Sequence, residues 1–300
     1  MVPIKNSSEL NFGHLATIAA VFCWSAGNVV VAGTDLPGLQ IAFWRLLLGG
    51  VLYSTVYFLT GRRINLKKLR LVALPGILLG LELAVFFTAL RNTTVANATM
   101  IGTLQTIVLL AVSSKQFQES VTRWLVGASF VAIGGVALVI LGASNELSWS
   151  PRGDLLAFAA MILFSTYFVA VKNVRNEVDT FTLQSVAMLV ASVTVFPIVA
   201  VEANTLAIPF PSLKEWVLLF VLLMVPGTGH LLMNWAHLHV SLSFAGIIML
   251  AIPVISSIGA WLFLNERVTI IQVSGMFVVI SVLILVVKRE AEMTVSVRDS

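Results

Sequence analysis

The sequence predicts an all-α integral membrane protein of ten transmembrane helices, arranged as two inverted five-helix repeats with both termini cytoplasmic. Three observations carry this prediction. Hydrophobic residues make up 58% of the 300 residues and charged residues only 11%, far from the balance of a water-soluble domain. Apolar runs of about 20 residues, the length that crosses roughly 30 Å of hydrocarbon, recur along the chain. One passage occurs twice, QFQESVT at Gln116 to Thr122 and FLNERVT at Phe263 to Thr269, each followed by a long apolar stretch.

The runs lie near 14 to 33, 38 to 60, 71 to 91, 94 to 113 and 123 to 142, then near 153 to 172, 180 to 201, 215 to 236, 242 to 263 and 268 to 287. The first lacks the small-residue cleavage pattern of a signal peptide and is expected to remain as a helix. The chain divides into a cytoplasmic segment 1 to 13, a first repeat 14 to 142, a connecting loop 143 to 152, a second repeat 153 to 287 and a cytoplasmic tail 288 to 300. Cys23, the single cysteine, falls inside the first helix, so neither a disulfide framework nor a cysteine-based metal site is available.

A constant offset of 147 residues takes Glu119 to Glu266, Val121 to Val268, Thr122 to Thr269, Ala89 to Ala236 and Ala98 to Ala245. Earlier in each half the likeness continues at other offsets, with HLATIAAVFCWS (His14 to Ser25) resembling DLLAFAAMILFS (Asp154 to Ser165). An odd number of helices per half makes the second half enter the membrane upside down. Inverted repeats of this kind are common in secondary transporters, which bind solute near the midplane between the repeats.

Charge placement sets the expected orientation. With the N-terminus inside, the inner loops and tails hold Lys5, Arg62, Arg63, Lys67, Lys68, Arg70, Lys115, Arg123, Lys172, Arg175, Lys288, Arg289 and Arg298, and the outer loops hold only Arg91, Arg152, Lys214 and Arg267. This is the positive-inside pattern. The formal net charge of +4 is therefore read as a topology signal in a bacterial plasma (inner) membrane, with the lipid bilayer and not nucleic acid as partner.

The stretch AGIIMLAIPVISSIGAWLFLNERVTIIQVSGMFVVISVLILV, Ala245 to Val286, resembles the second repeat of the EamA-type transporters of the drug/metabolite transporter superfamily. Pro253-Val254, the run Leu262 to Leu264, Glu266, Thr269 and Gly275 match, and Asn265 replaces the usual glycine. In the first repeat Thr106 stands where the proline is expected and Gln118-Glu119 where Gly-Glu is expected, while FWRLLLGGVL, Phe43 to Leu52, matches the arginine-bearing second helix through Arg45. The resemblance spans about His14 to Val287 and implies a multi-pass permease. It does not select a solute, because the superfamily moves amino acids, sugars, nucleotide derivatives, amines and drugs.

Charges in the hydrocarbon cost several kcal/mol, so intramembrane ionisable groups are functional candidates by default. Arg45 and Glu82 are the two clear cases, at roughly 10 Å and 13 Å below the same surface by helical rise. Two readings stay open: an ion pair stapling the second helix to the third, or a site where Glu82 carries a proton or binds an amine. Pro226, Gly227 and Gly229 interrupt the eighth helix, as such residues do beside cavities, and Gly229 is the counterpart of Glu82 at the 147 offset. His230 follows, toward the cytoplasmic end. Trp24, Asn28, Gln105 and Asn234 complete the expected solute or coupling site, with Asn97, Gln184, Trp44 and Trp235 as further polar or aromatic candidates. Pro253 and Pro197 are read as kinks, and Glu119 and Glu266 as caps of the helices that follow them.

The function expected is a secondary transporter that exports a small, amino acid-like or amphipathic solute by alternating access, with protons as the candidate coupling ion. No GxxxxGK[ST] loop, HExxH helix or GxSxG elbow occurs, which argues against ATP drive and against an intramembrane enzyme. No cofactor or metal is expected, and no oligomeric state is specified. The alternatives are a membrane receptor or a structural component without flux.

Overall fold

A computed structural model of the chain describes residues 7–31, 34–63, 65–93, 95–143, 150–264 and 267–298, with Asn28 among those described by backbone alone. Its regular structure is helical: α1 (Ser7–Val31), α2 (Gly38–Leu59), α3 (Leu66–Asn92), α4 (Val95–Thr103), α5 (Gln105–Gln116), α6 (Arg123–Ala143), α7 (Pro151–Val174), α8 (Thr180–Glu202), α9 (Leu213–Met224), α10 (Pro226–Ala236), α11 (Leu242–Ile248), α12 (Ala251–Leu264) and α13 (Ile270–Arg298). Among the described residues, nine spans are long and apolar enough to cross a membrane, and Phe12–Gly27 is a shorter apolar helix. Side chains such as Phe22, Val193, Ile270 and Phe277 point outward, exposed. That suits a surface solvated by lipid.

Three spans expected as single helices are each broken in two. In the last of them α11 ends at Ile248, with Met249 as its cap, and α12 starts at Ala251, two residues before Pro253. Pro253 has no N–H for the carbonyl of Met249 and its ring collides with that carbonyl, so the ladder stops there. The break before α10 falls at Val225 (φ −90°, ψ −71°) and makes Pro226 the first residue of the new helix, the position where proline fits best. Gly227 and Gly229 then lie inside regular helix. The third break, at Leu104 between α4 and α5, has no proline beside it. Pro197, read as a kink, sits inside the uninterrupted α8.

Packing pairs the two halves of the chain. Helix α3 lies on α7 and α10 on α1; α2 lies on α8, and α6 on α13. A Cβ added to Gly275 would stand 2.5 Å from the carbonyl oxygen of Gly135, so α6 and α13 touch backbone to backbone. Small residues permit this approach, and it is the main source of helix affinity in a medium as apolar as the side chains themselves.

Hydrogen bonds tie the helix ends into two layers. At one end Thr93 Oγ1 and Asn97 Nδ2 donate to Asp154 Oδ1 at 2.6 and 3.1 Å. There Arg91 also donates to the Leu36 carbonyl at 2.6 Å, and Thr34 and the Asp35 amide donate to Glu215. At the opposite end Arg62 pairs with Asp179 at 2.8 Å, Lys172 donates to the Val240 carbonyl at 2.6 Å and Arg175 to the Asn234 carbonyl at 2.6 Å. Glu119 belongs to this second layer. It does not cap the helix that follows it, where Thr122 Oγ1 accepts the Leu125 amide instead; it reaches α11 in the other half of the chain. The chain turns just before it at Gln118 with φ 53°, the left-handed region that glycine adopts most readily. Glu266 lies outside the described residues.

Candidate functional site

A cavity of about 180 Å³ lies between α1, α2, α3, α4, α5, α7, α9, α10 and α12. Its position follows from an asymmetry in the bundle. Helix α5 packs on α11: Thr106 Oγ1 donates to the Gly246 carbonyl at 2.9 Å, and Gln105 Nε2 lies 3.4 Å from Met249 Sδ. The counterpart pair, α4 and α12, is held apart by the cavity, which Thr99, Gly102 and Thr103 line from one side and Ile252 and Pro253 from the other. The space is thus closed toward Glu119 and lies in the half of the bundle near Asp154.

One wall is charged. Arg45 from α2 and Glu82 from α3 both line the cavity, 5% and 7% exposed. They act on each other electrostatically, but among the described residues they are not one of the direct ion pairs. Among the described residues no direct ion pair joins α2 to α3 here. Glu82 Oε2, Trp24 Nε1 and His230 Nδ1 are buried without a hydrogen-bond partner among the described residues. A buried polar atom left unpaired costs roughly 1 to 3 kcal/mol, so three such atoms on residues of one cavity make it a candidate for meeting a solute's polar groups.

The rest of the lining is aromatic and aliphatic. Trp24 stands edge-on to Phe164 at 5.9 Å and to His230 at 5.1 Å between ring centroids, and Phe86, Phe87, Met161, Leu222 and Leu250 complete the apolar side. Such a site, mostly apolar with a few convergent polar groups, is the usual form of a small-molecule pocket.

Of the residues expected from the sequence, Arg45, Glu82, Trp24, Gln105, His230, Pro226 and Pro253 line this cavity. His230 lines it beside Trp24. Gly229 is a packing residue: a Cβ there would come within 3.0 Å of the Ala20 carbonyl oxygen and of Trp24 Nε1. Gly227 faces Leu223. The side chain of Asn28 lies outside the described residues. Trp44 is at the Asp154 end, where its Nε1 donates to the Pro209 carbonyl at 3.2 Å. Thr99, Gly102 and Thr103 were not expected, although one stripe of small and polar residues on α4 marks them in the sequence; for Met161 and Phe164 no such signal exists.

Asn234 lies below the cavity and not on it. It accepts from Tyr167 Oη at 3.1 Å and donates to Gln184 Oε1 at 2.9 Å, a buried link between α7, α8 and α10. Replacing Asn234 with alanine leaves both partners unpaired and is expected to lower stability by roughly 1 to 2 kcal/mol, read as a fall in thermal midpoint in detergent. An unchanged midpoint would show that the link carries no load.

Among the described residues no group of three His, Cys, Asp or Glu side chains is placed to hold a metal ion. Comparison with family models matches residues 11–141 and again 151–288 to the EamA-like transporter family. The chain belongs to this family. The EamA-like chain is accordingly a multi-pass membrane protein of a transporter family. It is 23% identical over 273 residues to the pseudopaline exporter CntI of Pseudomonas aeruginosa, an alignment covering 89% of this chain and 92% of that one. It is 24% identical over 259 residues to an uncharacterized transporter of Archaeoglobus fulgidus, covering 85% and 90%. A solved crystal structure superposes on it with a TM-score of 0.77 at 18% identity, over 93% of this chain and 96% of the other, which shows the shared fold.

Proposed function

We propose that this EamA-like transporter exports a small amino acid-like solute by alternating access, binding it between Arg45 and Glu82. The observation that carries the reading is a buried cation and a buried carboxylate on one cavity that do not pair directly. Two opposite charges held apart suit a zwitterion, with its carboxylate toward Arg45 and its amine toward Glu82, while Trp24 and Phe164 cover its apolar part. At about 180 Å³ the space is below the roughly 300 to 1,000 Å³ of pockets for drug-sized ligands. That favours a solute of amino acid size over a nucleotide.

The two halves, 14 to 142 and 153 to 287, act as inverted repeats in this reading. The Glu119 end, which carries Arg62, Lys67, Lys115 and Arg175, faces the cytoplasm of a bacterial inner membrane by the positive-inside rule, so the cavity described here opens outward. Glu82 is the site for a coupling proton, which would compete with the solute's amine for the carboxylate. Export is favoured by the likeness to the Pseudomonas aeruginosa relative, an exporter. The test is flux in sealed proteoliposomes of the purified chain, loaded in turn with labelled neutral and basic amino acids under an imposed pH gradient. Protein-dependent, saturable release of one of them is expected; release no faster than from empty liposomes for all of them, with folded protein, would refute the proposal and leave a receptor as the better reading.

A further inference from the structure

The seam that closes the cavity toward Glu119 has that carboxylate at its outer edge, with Glu290 and Arg289 beside it. Glu119 Oε1 accepts the Leu242 amide at 2.7 Å and lies 3.7 Å from Lys172 Nζ. Glu119 Oε2 accepts the Ser243 amide at 3.1 Å and the Ser243 hydroxyl at 3.0 Å. All of these partners belong to the second half of the chain, although Glu119 belongs to the first. Helix α11, which they hold, is a separate seven-residue piece with a break behind it at Met249. It is therefore held at its first turn by Glu119 and interrupted after its last, and its inner face carries the Gly246 carbonyl that Thr106 binds.

We propose that Glu119 is the latch of the transport cycle: its carboxylate holds α11 against α5, and its release lets the seam part and the cavity open at the Glu119 end. The inference rests on the alternating-access reading above. Glu119 touches no solute in this scheme; it is a positioning residue that acts through α11. A negative charge is the suitable device because it engages two free amides at the start of a helix and a lysine together, with bonds stronger than neutral ones. These bonds sit at the rim, where water can take them over when the seam parts.

The test reads access and not flux, so it stays informative if the solute is misassigned. In a Cys23→Ser background a reporter cysteine is placed by Gly102→Cys, where an added Cβ meets nothing within 4 Å, and is labelled in proteoliposomes with a membrane-impermeant maleimide from either side. The parent is expected to react from the Asp154 side. Glu119→Ala is expected to raise labelling from the Glu119 side about tenfold, equivalent to about 1.4 kcal/mol, and Glu119→Gln by less. Leu242→Pro gives an independent route: residue 242 is the first of α11 and Ser241 before it is already extended (φ −69°, ψ 152°), so proline fits there while removing the amide that Glu119 holds. Should Glu119→Ala fail to fold, Glu119→Gln and Leu242→Pro decide. Labelling from the Glu119 side that does not rise in the folded variants overturns the proposal, as does an equal rise on Glu266→Ala, which would signal general loosening.

Discussion

Glu82→Gln is expected to lower transport by roughly ten- to a hundredfold while leaving thermal stability equal or higher. The two halves of that expectation come from one geometry. Glu82 is buried, lines the cavity and keeps Oε2 unpaired; Arg45 is near it but not bonded to it. A hydrogen bond from a solute amine to a carboxylate is worth about 1.5 to 3 kcal/mol, and each 1.4 kcal/mol is about tenfold. Removing a buried charge that lacks a direct partner relieves a desolvation cost, so the fold should not suffer. A structural pair would behave in the opposite way, losing stability when one member is neutralised. Flux measured across pH 5 to 9 supplies the second readout: the residual transport of the glutamine variant should no longer respond to an imposed proton gradient. Wild-type-like, still pH-driven flux would remove Glu82 from the mechanism.

Gly102→Trp should fold normally and abolish solute binding. Gly102 is one of the few glycines whose added Cβ would meet nothing within 4 Å, and the empty space beside it is the cavity itself. An indole grown from that position projects into this space of about 180 Å³ from a Cβ that meets no neighbour, and glycine to almost any other residue in mid-helix recovers up to about 1 kcal/mol of helix propensity. The contrast is Gly246, where an added Cβ would press on Leu109 at 3.0 Å and the same change would force the closed seam apart. The measurement is the rise in thermal midpoint on adding solute. It should vanish in Gly102→Trp, with the solute-free midpoint near that of the parent; a retained shift would place binding elsewhere.

Much of this arrangement can be read from residue types. The apolar runs follow from what a bilayer demands, and Arg45 and Glu82 stand out because charges in hydrocarbon need a reason. Pro253 announces the break at Met249 through its missing N–H. The break at Leu104 has no such announcement, since Thr106 in place of proline keeps its amide; only the paired position in the other half hints at it. Asn234 and Gln105 are both amides in apolar helices, and which one reaches the cavity depends on how each helix is rotated in the bundle. Glu119 shows the same limit. Its place at a helix boundary is evident, but α11 lies more than a hundred residues further along the chain, and its arrival there is a matter of tertiary packing.

The 147 offset also has an energetic meaning. It places Pro253 where Thr106 stands, Thr99 where Gly246 stands and Gly102 where Met249 stands. The seam seen between α5 and α11 uses the Thr106 hydroxyl as donor and Met249 as filler. A mirror-image seam between α12 and α4 would have a proline without a hydroxyl and a glycine without a side chain. In the alternating-access reading proposed above, the two arrangements would be unequal in free energy, with the Glu119 end shut as the lower. Reaching the other arrangement would then need help from whatever binds it more tightly, so in that reading the solute entering from the Glu119 side supplies the preference that Pro253 and Gly102 do not, and an empty carrier idles facing away from its cargo.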